Sequence, residues 1–164
     1  MKRTLTIMTR AFAACLALAL MLAAAGCGAN AEQTAQGFLE ELFTCTAEQA
    51  AELEPIAFTR DDADGKLAEY FRSRLGDRMT EDAFEDAMQN RYVTRAFSLT
   101  VEGAPSVSAS VTLTKRSDGE IYDYTAELTS DGAVAASAFG TVIMIKEDGA
   151  WKVSALKLSF RSKL

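Results

Sequence analysis

The sequence predicts an α+β domain with N-terminal helices packed on a long, curved antiparallel β-meander. Three observations carry this. Apolar residues recur at helical spacing from Ala35 to Met88 and alternate with polar ones further on. Three Asp-Gly pairs, at 118–119, 131–132 and 148–149, punctuate the alternating half at regular intervals. Such a pair readily supplies the positive φ angles of a tight hairpin turn, so three of them mark a four-strand meander.

The first helix begins after Asn30, an N-cap residue with Gln33 three positions on. Ala35, Phe38, Leu39, Leu42 and Phe43 then fall on one helical stripe, with Glu32, Gln36, Glu40 and Glu41 facing away. Thr46 with Gln49 repeats the cap signal and opens a short helix that Pro55 should end. A further helix runs from Asp62 or Asp64 to Leu75, burying Leu67, Ala68, Phe71 and Leu75, with Gly76 as its stop. Thr80 caps another, carrying Phe84, Ala87 and Met88.

A strand is expected over 92–101, joined through the Gly103 to Pro105 corner to strands at 106–117, 120–130, 133–147 and 150–161. These are long for a small domain and must bend. Gly140 interrupts one of them. In the last, the apolar phase shifts from Trp151, Val153 and Ala155 to Leu156, Leu158 and Phe160, which marks a β-bulge or a change of covered face.

The N-terminus has the layout of a secretory signal peptide. Lys2, Arg3 and Arg10 precede a greasy run from Ala11 to Leu22, then small residues. Its Ala24-Ala25-Gly26-Cys27 ending resembles the lipobox of bacterial lipoproteins, with Ala24 where Leu is usual. The resemblance implies removal of residues 1–26 and acylation of Cys27, and so a cell-membrane protein anchored by lipid on the extracytoplasmic side. A retained transmembrane helix fits less well, because the apolar stretch of 15 residues from Ala11 to Ala25 falls short of the ~20 a span needs. Plain secretion with cleavage near Ala25 is the other reading. Residues 27–31 form the lipidated cysteine and a tether; at ~3.5 Å per residue, Gly28 to Ala31 reach ~14 Å, so the domain at 32–164 should sit close to the bilayer.

Cleavage removes three of the 17 basic residues and none of the 23 acidic ones, leaving 14 against 23 and a formal charge of −9. An acidic surface is repelled by phosphate backbones, so nucleic acid is not an expected partner. After cleavage Cys45 is the sole cysteine besides the anchor, so no disulfide can staple the domain. About 135 residues suffice for one hydrophobic core. A buried, inert thiol is the plain reading of Cys45.

The order of elements and the closing Gly149-Ala150-Trp151-Lys152-Val153 resemble the NTF2-like (cystatin-like α+β) superfamily. In particular they resemble small lipoproteins of Gram-positive bacteria whose domain closes on a Gly-x-Trp-Lys-Val/Ile strand. The opening Phe38-Leu39 helix fits the same pattern. The resemblance implies a cone of sheet and helices, often with a pocket inside.

Chemistry is constrained by what the chain lacks. It has no histidine, which removes Ser-His-Asp and Cys-His mechanisms and Cys/His zinc sites. Asp61-Asp62-Ala63-Asp64-Gly65 superficially resembles a calcium loop. With Gly65 at loop position 6, however, Arg60 and Phe71 occupy the first and last ligand positions. No metal or cofactor is expected.

The pocket candidates are Arg95, Tyr122, Tyr124 and Trp151. Arg95 shares the expected strand face with Val93, Phe97, Leu99 and Val101; it is either a rim arginine reaching water or an anion-binding group at a pocket mouth. Tyr122 and Tyr124 share a face with Ala126 and Leu128, opposite Asp123, Thr125 and Glu127, and either line a pocket or pack in the core. Trp151 either stacks a ligand or anchors the core. The expected function is a non-catalytic module that binds a small ligand or an envelope protein through the concave side of its sheet. The alternative is an isomerase- or dehydratase-type enzyme using a buried Asp or Tyr with a raised pKa. A structural spacer, marked by an exposed apolar patch, is the third reading.

Overall fold

The computed structural model describes residues 30–57 and 63–163. Among the described residues five α-helices precede the strands: α1 (Ala31–Leu42), α2 (Ala47–Ala57), α3 (Ala63–Leu75), α4 (Glu81–Gln89) and α5 (Arg95–Val101). Four strands follow: β1 (Ser108–Lys115), β2 (Ile121–Ser130), β3 (Ala133–Glu147) and β4 (Ala150–Ser162). They form an open antiparallel sheet in sequence order. The α+β class and the meander are therefore as the pattern of elements indicated.

Local chemistry sets the helix starts. Thr46 and Gln49 cap each other reciprocally: the Thr46 N–H donates to Gln49 Oε1 at 2.9 Å, and the Gln49 N–H donates to Thr46 Oγ1 at 3.2 Å. Thr80 Oγ1 accepts the Ala83 N–H at 3.3 Å and opens α4. Pro55 does not end α2, which continues to Ala57. So near a helix C-terminus, proline removes one bond from a turn that has few to lose.

The expected strand over 92–101 is wrong. Residues 95–101 are helix α5. Its alternation of Val93, Arg95, Phe97, Leu99 and Val101 suits a strand, but burial selects Ala96, Phe97 and Leu99 and leaves Val101 at 53% exposure. Ser98 and Thr100 turn their hydroxyls back to the carbonyls of Arg95 and Phe97 at 2.7 Å each, consuming polar groups that a strand would have sent outward.

The core lies between the helices and one face of the sheet. α1 packs on β1, β3 and β4. Phe38, Leu39 and Phe43 are wholly buried, each contributing on the order of 2 kcal/mol. Glu41 does not face water as its helical position suggested. It accepts a salt bridge from Arg78 and a longer one, at 3.8 Å, from Arg74, tying α1 to α3 and the 3₁₀ turn Gly76–Arg78 that follows it.

Two hairpins follow the Asp-Gly expectation closely. Asp131 and Gly132 have φ of 50° and 77°, and Asp148 and Gly149 of 51° and 84°. Two successive positive angles give the primed turn whose twist matches the strands. At 118–119 only Gly119 is positive, and the Arg116 N–H bonds Ile121 O at 2.8 Å across a wider loop.

The expected bulge in the last strand sits at Ser154: Ile143 pairs with Ala155 but Met144 with Val153. This lets both Val153 and Leu156 point into the core. A second bulge, at Ala135, separates the pairs Thr129–Val134 and Leu128–Ala136. Gly140 does not interrupt β3. It stands where a side chain cannot: a Cβ there would lie 1.8 Å from the Lys157 carbonyl oxygen and 3.1 Å from the Tyr124 hydroxyl.

Candidate functional site

The pocket candidates do not converge. On β2, Tyr122 and Tyr124 are buried on the helix-covered face with Ala126 and Leu128. Each hydroxyl already has a partner. Tyr122 donates to Glu120, and Tyr124 donates to the Lys157 carbonyl at 3.0 Å across Gly140. Burial pushes both phenols well above their ordinary pKa, and the Glu120 carboxylate adds to the effect at Tyr122. Glu120 itself is held below the usual carboxylate range by hydrogen bonds from Lys115 and Tyr122. Trp151 packs partly buried against the core near the first residues of β4. Arg95 lies toward the other end of that strand, its guanidinium carbon 5.8 Å from the Phe160 ring centre, with Nε buried and unpartnered.

The interior has little room. The crevice between α1, α3 and α5, lined by Leu42, Cys45, Leu53, Arg74 and Phe97 among others, has a cavity volume of about 10 Å³. That is the space of a single water. Cys45 is buried beside it, burial raising its thiol pKa, and its backbone pairs with Val107 at 2.9 and 2.7 Å. None of the described Asp or Glu side chains is buried. Among the described residues no cluster of His, Cys, Asp or Glu could hold a metal. The side chains of Asp61, Asp62 and Asp64 lie outside the described residues, as do Cys27 and the tether.

The opposite face of the sheet is open. The strand register stacks its side chains in rows across β2, β3 and β4: Asp123–Thr141–Lys157, Thr125–Phe139–Ser159 and Glu127–Ser137–Arg161. Read along the strands, the same residues form columns. β2 contributes two acids, β4 two bases, and β3, between them, Phe139 flanked by Ser137 and Thr141, on a ridge that Val134 and Ile145 extend. Val134, Phe139 and Ile145 on that ridge are exposed at 36, 39 and 40%, and β1 adds Ser110 and Thr112 beyond the acids. Val101, on α5, is the remaining exposed large hydrophobic among the described residues.

Two shallow depressions mark the open face. One of about 430 Å³ is lined by Thr112, Glu127, Ser137, Phe139 and Arg161, among others. The other, of about 120 Å³, is floored by Ile121, Ile143 and Ala155 between Arg116 and Lys157. Arg161 rests 5.3 Å from the Phe139 ring centre, and Thr141 donates to Asp123 at 3.0 Å.

Asp123, Thr125 and Glu127 were legible as an outward face from alternation alone. Phe139, Lys157 and Arg161 were not recognised as their neighbours. The signal for them exists. The two Asp-Gly turns fix the pairs Ser130–Ala133 and Glu147–Ala150, and counting back from them assembles the rows, provided both bulges are placed. No helix among the described residues is long and apolar enough to cross a membrane. The chain matches no family model, no curated protein and no solved structure.

Proposed function

We propose that this chain is a lipid-anchored, extracytoplasmic binding module of NTF2-like type, without catalytic role, which makes its contacts through the bare face of its sheet. One observation carries the reading: the space under the helices is filled, while the open face holds three of the four exposed large hydrophobics among the described residues. A small-molecule pocket needs roughly 300 Å³ or more of concave space; the interior crevice falls far short of it, and the larger hollows, of about 360 Å³ between α2 and α5 and about 430 Å³ on the open face, are shallow and open to solvent. The dehydratase-type alternative needs a buried Asp or Tyr free to act in an apolar pocket; the described residues offer no buried carboxylate, and the hydroxyls of the buried Tyr122 and Tyr124 are already bonded to Glu120 and the Lys157 carbonyl. An exposed apolar ridge flanked by charge is the form a protein-contact surface takes.

Two measurements test this. Metabolic labelling with a fatty acid should mark the parent chain and miss Cys27→Ser; equal labelling of both would remove the anchor. A photo-cross-linking residue placed at Phe139 should form protein adducts in cells, while the same residue at exposed Glu48 on α2 should not. Adducts from Glu48 alone, or from neither position, would remove the open face as the working surface.

A further inference from the structure

The open face has a symmetry that points to its occupant. We infer that it binds a second copy of the chain, face to face, about a two-fold axis running along β3. The inference rests on the proposal that this face is the contact surface.

Asp123 and Lys157 share one row with Thr141 between them, and Glu127 and Arg161 share another with Ser137 between them. A two-fold axis parallel to β3 carries β2 of one copy over β4 of the other and keeps every row at its own height. Asp123 then faces Lys157 and Glu127 faces Arg161, each pair twice, as a self-complementary interface requires. Phe139, in the intervening row, meets its own counterpart on the axis. The perpendicular axis within the interface would set β2 on β2 and stack acid on acid. Charge therefore selects one of the two arrangements.

Distances fit. Neighbouring strands lie ~4.8 Å apart and packed sheets ~10 Å apart, within reach of lysine and arginine side chains meeting carboxylates from the facing sheet. Aligned sheets cross at about 30°. Asp123 and Glu127 are four residues apart, about 14 Å, so each lies ~7 Å from a pivot at Phe139. Such a rotation displaces them only ~3.5 Å. A face roughly 19 Å wide and 34 Å long covers about 650 Å² per copy, or about 1,300 Å² in all, within the standard range for a specific interface.

Within one chain these charges are little used: Asp123 accepts from Thr141 and Arg161 lies beside the Phe139 ring. Among the described residues neither Lys157 nor Arg161, nor Glu127, takes part in an ion pair. The distribution of charge elsewhere favours the same face. Residues 30–103, which supply the helices, hold 16 acidic and 7 basic residues, whereas 104–164, which supply the sheet, hold 7 of each. Two copies approaching helix to helix would repel; approaching sheet to sheet they would not.

Charge reversal tests the arrangement, using the full chain in detergent micelles and its protein mass by sedimentation. The parent should have twice the monomer mass. Asp123→Lys with Glu127→Lys makes both columns basic, and Lys157→Glu with Arg161→Glu makes both acidic. Each variant alone should associate on the order of 100-fold more weakly than the parent. An equimolar mixture of the two should recover the dimer, and so should one chain carrying all four changes. Recovery also shows that the variants fold. A monomeric parent, half-reversed variants that stay dimeric, or a mixture that fails to pair would each overturn the inference. If the parent is monomeric while Phe139 cross-links to a different protein, the dimer is wrong and the contact face stands. If Phe139 cross-links to nothing, the proposed function fails too.

Discussion

On β2, Tyr122, Tyr124, Ala126 and Leu128 are buried under the helices, while Asp123, Thr125 and Glu127, their immediate neighbours, stand exposed on the opposite face. The same backbone thus carries two sets of side chains under different rules. On the covered face each group is fixed by packing or by a named partner; even the tyrosine hydroxyls are engaged. On the open face few side chains are held, and the arrangement of charge contributes little to folding, since exposed ion pairs are worth at most about 1 kcal/mol. The segregation of acids on β2 from bases on β4 is therefore not explained by the stability of one chain. It becomes intelligible as a property of contact.

This contrast is broken most severely at Gly140, where strand spacing and the covered face meet. Gly140→Ala would place a methyl group 1.8 Å from the Lys157 carbonyl oxygen, so β3 and β4 must part or the Tyr124 hydroxyl must give up its bond. The expected cost is roughly 3 kcal/mol or more, read from the midpoint of urea unfolding. A loss below ~1 kcal/mol would show that the sheet yields easily there.

Removing the Tyr124 hydroxyl alone is a gentler probe of the same contact. Tyr124→Phe should cost about 1 kcal/mol at neutral pH, the ordinary worth of one buried hydrogen bond. Its pH dependence adds a second readout. Burial raises the Tyr124 pKa in the folded state, while the unfolded chain keeps a value near 10.0. Stability from this group is thus fully present below pH 10.0 and is lost as pH rises beyond it, because only the unfolded chain gives up the proton. Thermal unfolding of the parent should fall with alkaline pH more steeply than that of a Tyr122→Phe, Tyr124→Phe double variant. Identical slopes would mean that the phenols are not shielded.

How much of this was readable from sequence depends on the range of the signal. The hairpins were legible because Asp131-Gly132 and Asp148-Gly149 determine their own φ angles within two residues. The Thr46–Gln49 cap was legible for the same reason, and the bulge at Ser154 showed itself as a slip of apolar phase. Helix α5 was not legible. Its seven residues satisfy a strand alternation and a helical stripe equally, and only packing against the rest of the core chooses Ala96, Phe97 and Leu99. The pocket candidates depended on packing rather than on local pattern. Tyr122 and Tyr124 were placed on the correct face, but whether that face holds a cavity depends on how completely the helices fill it. The rows of the open face needed three strands in register at once, including a bulge at Ala135 that its run of small residues did not disclose.

The smallest expected effect on stability separates the two faces most sharply. Phe139 and Phe38 are the same residue type, at 39% exposure on the open face and 0% in the core. Phe38→Ala should cost about 3–5 kcal/mol, because it removes packed area and leaves a cavity. Phe139→Ser should change the unfolding free energy of the isolated monomer by no more than about 0.5 kcal/mol, since its ring lies exposed on the open face beside Arg161. Measured by urea unfolding of monomeric protein, a Phe139 variant as unstable as the Phe38 variant would make the ridge part of the core and remove its claim to be a contact surface. A near-zero effect leaves an exposed aromatic ring that folding does not require, at the one row where a face of segregated charge would meet itself.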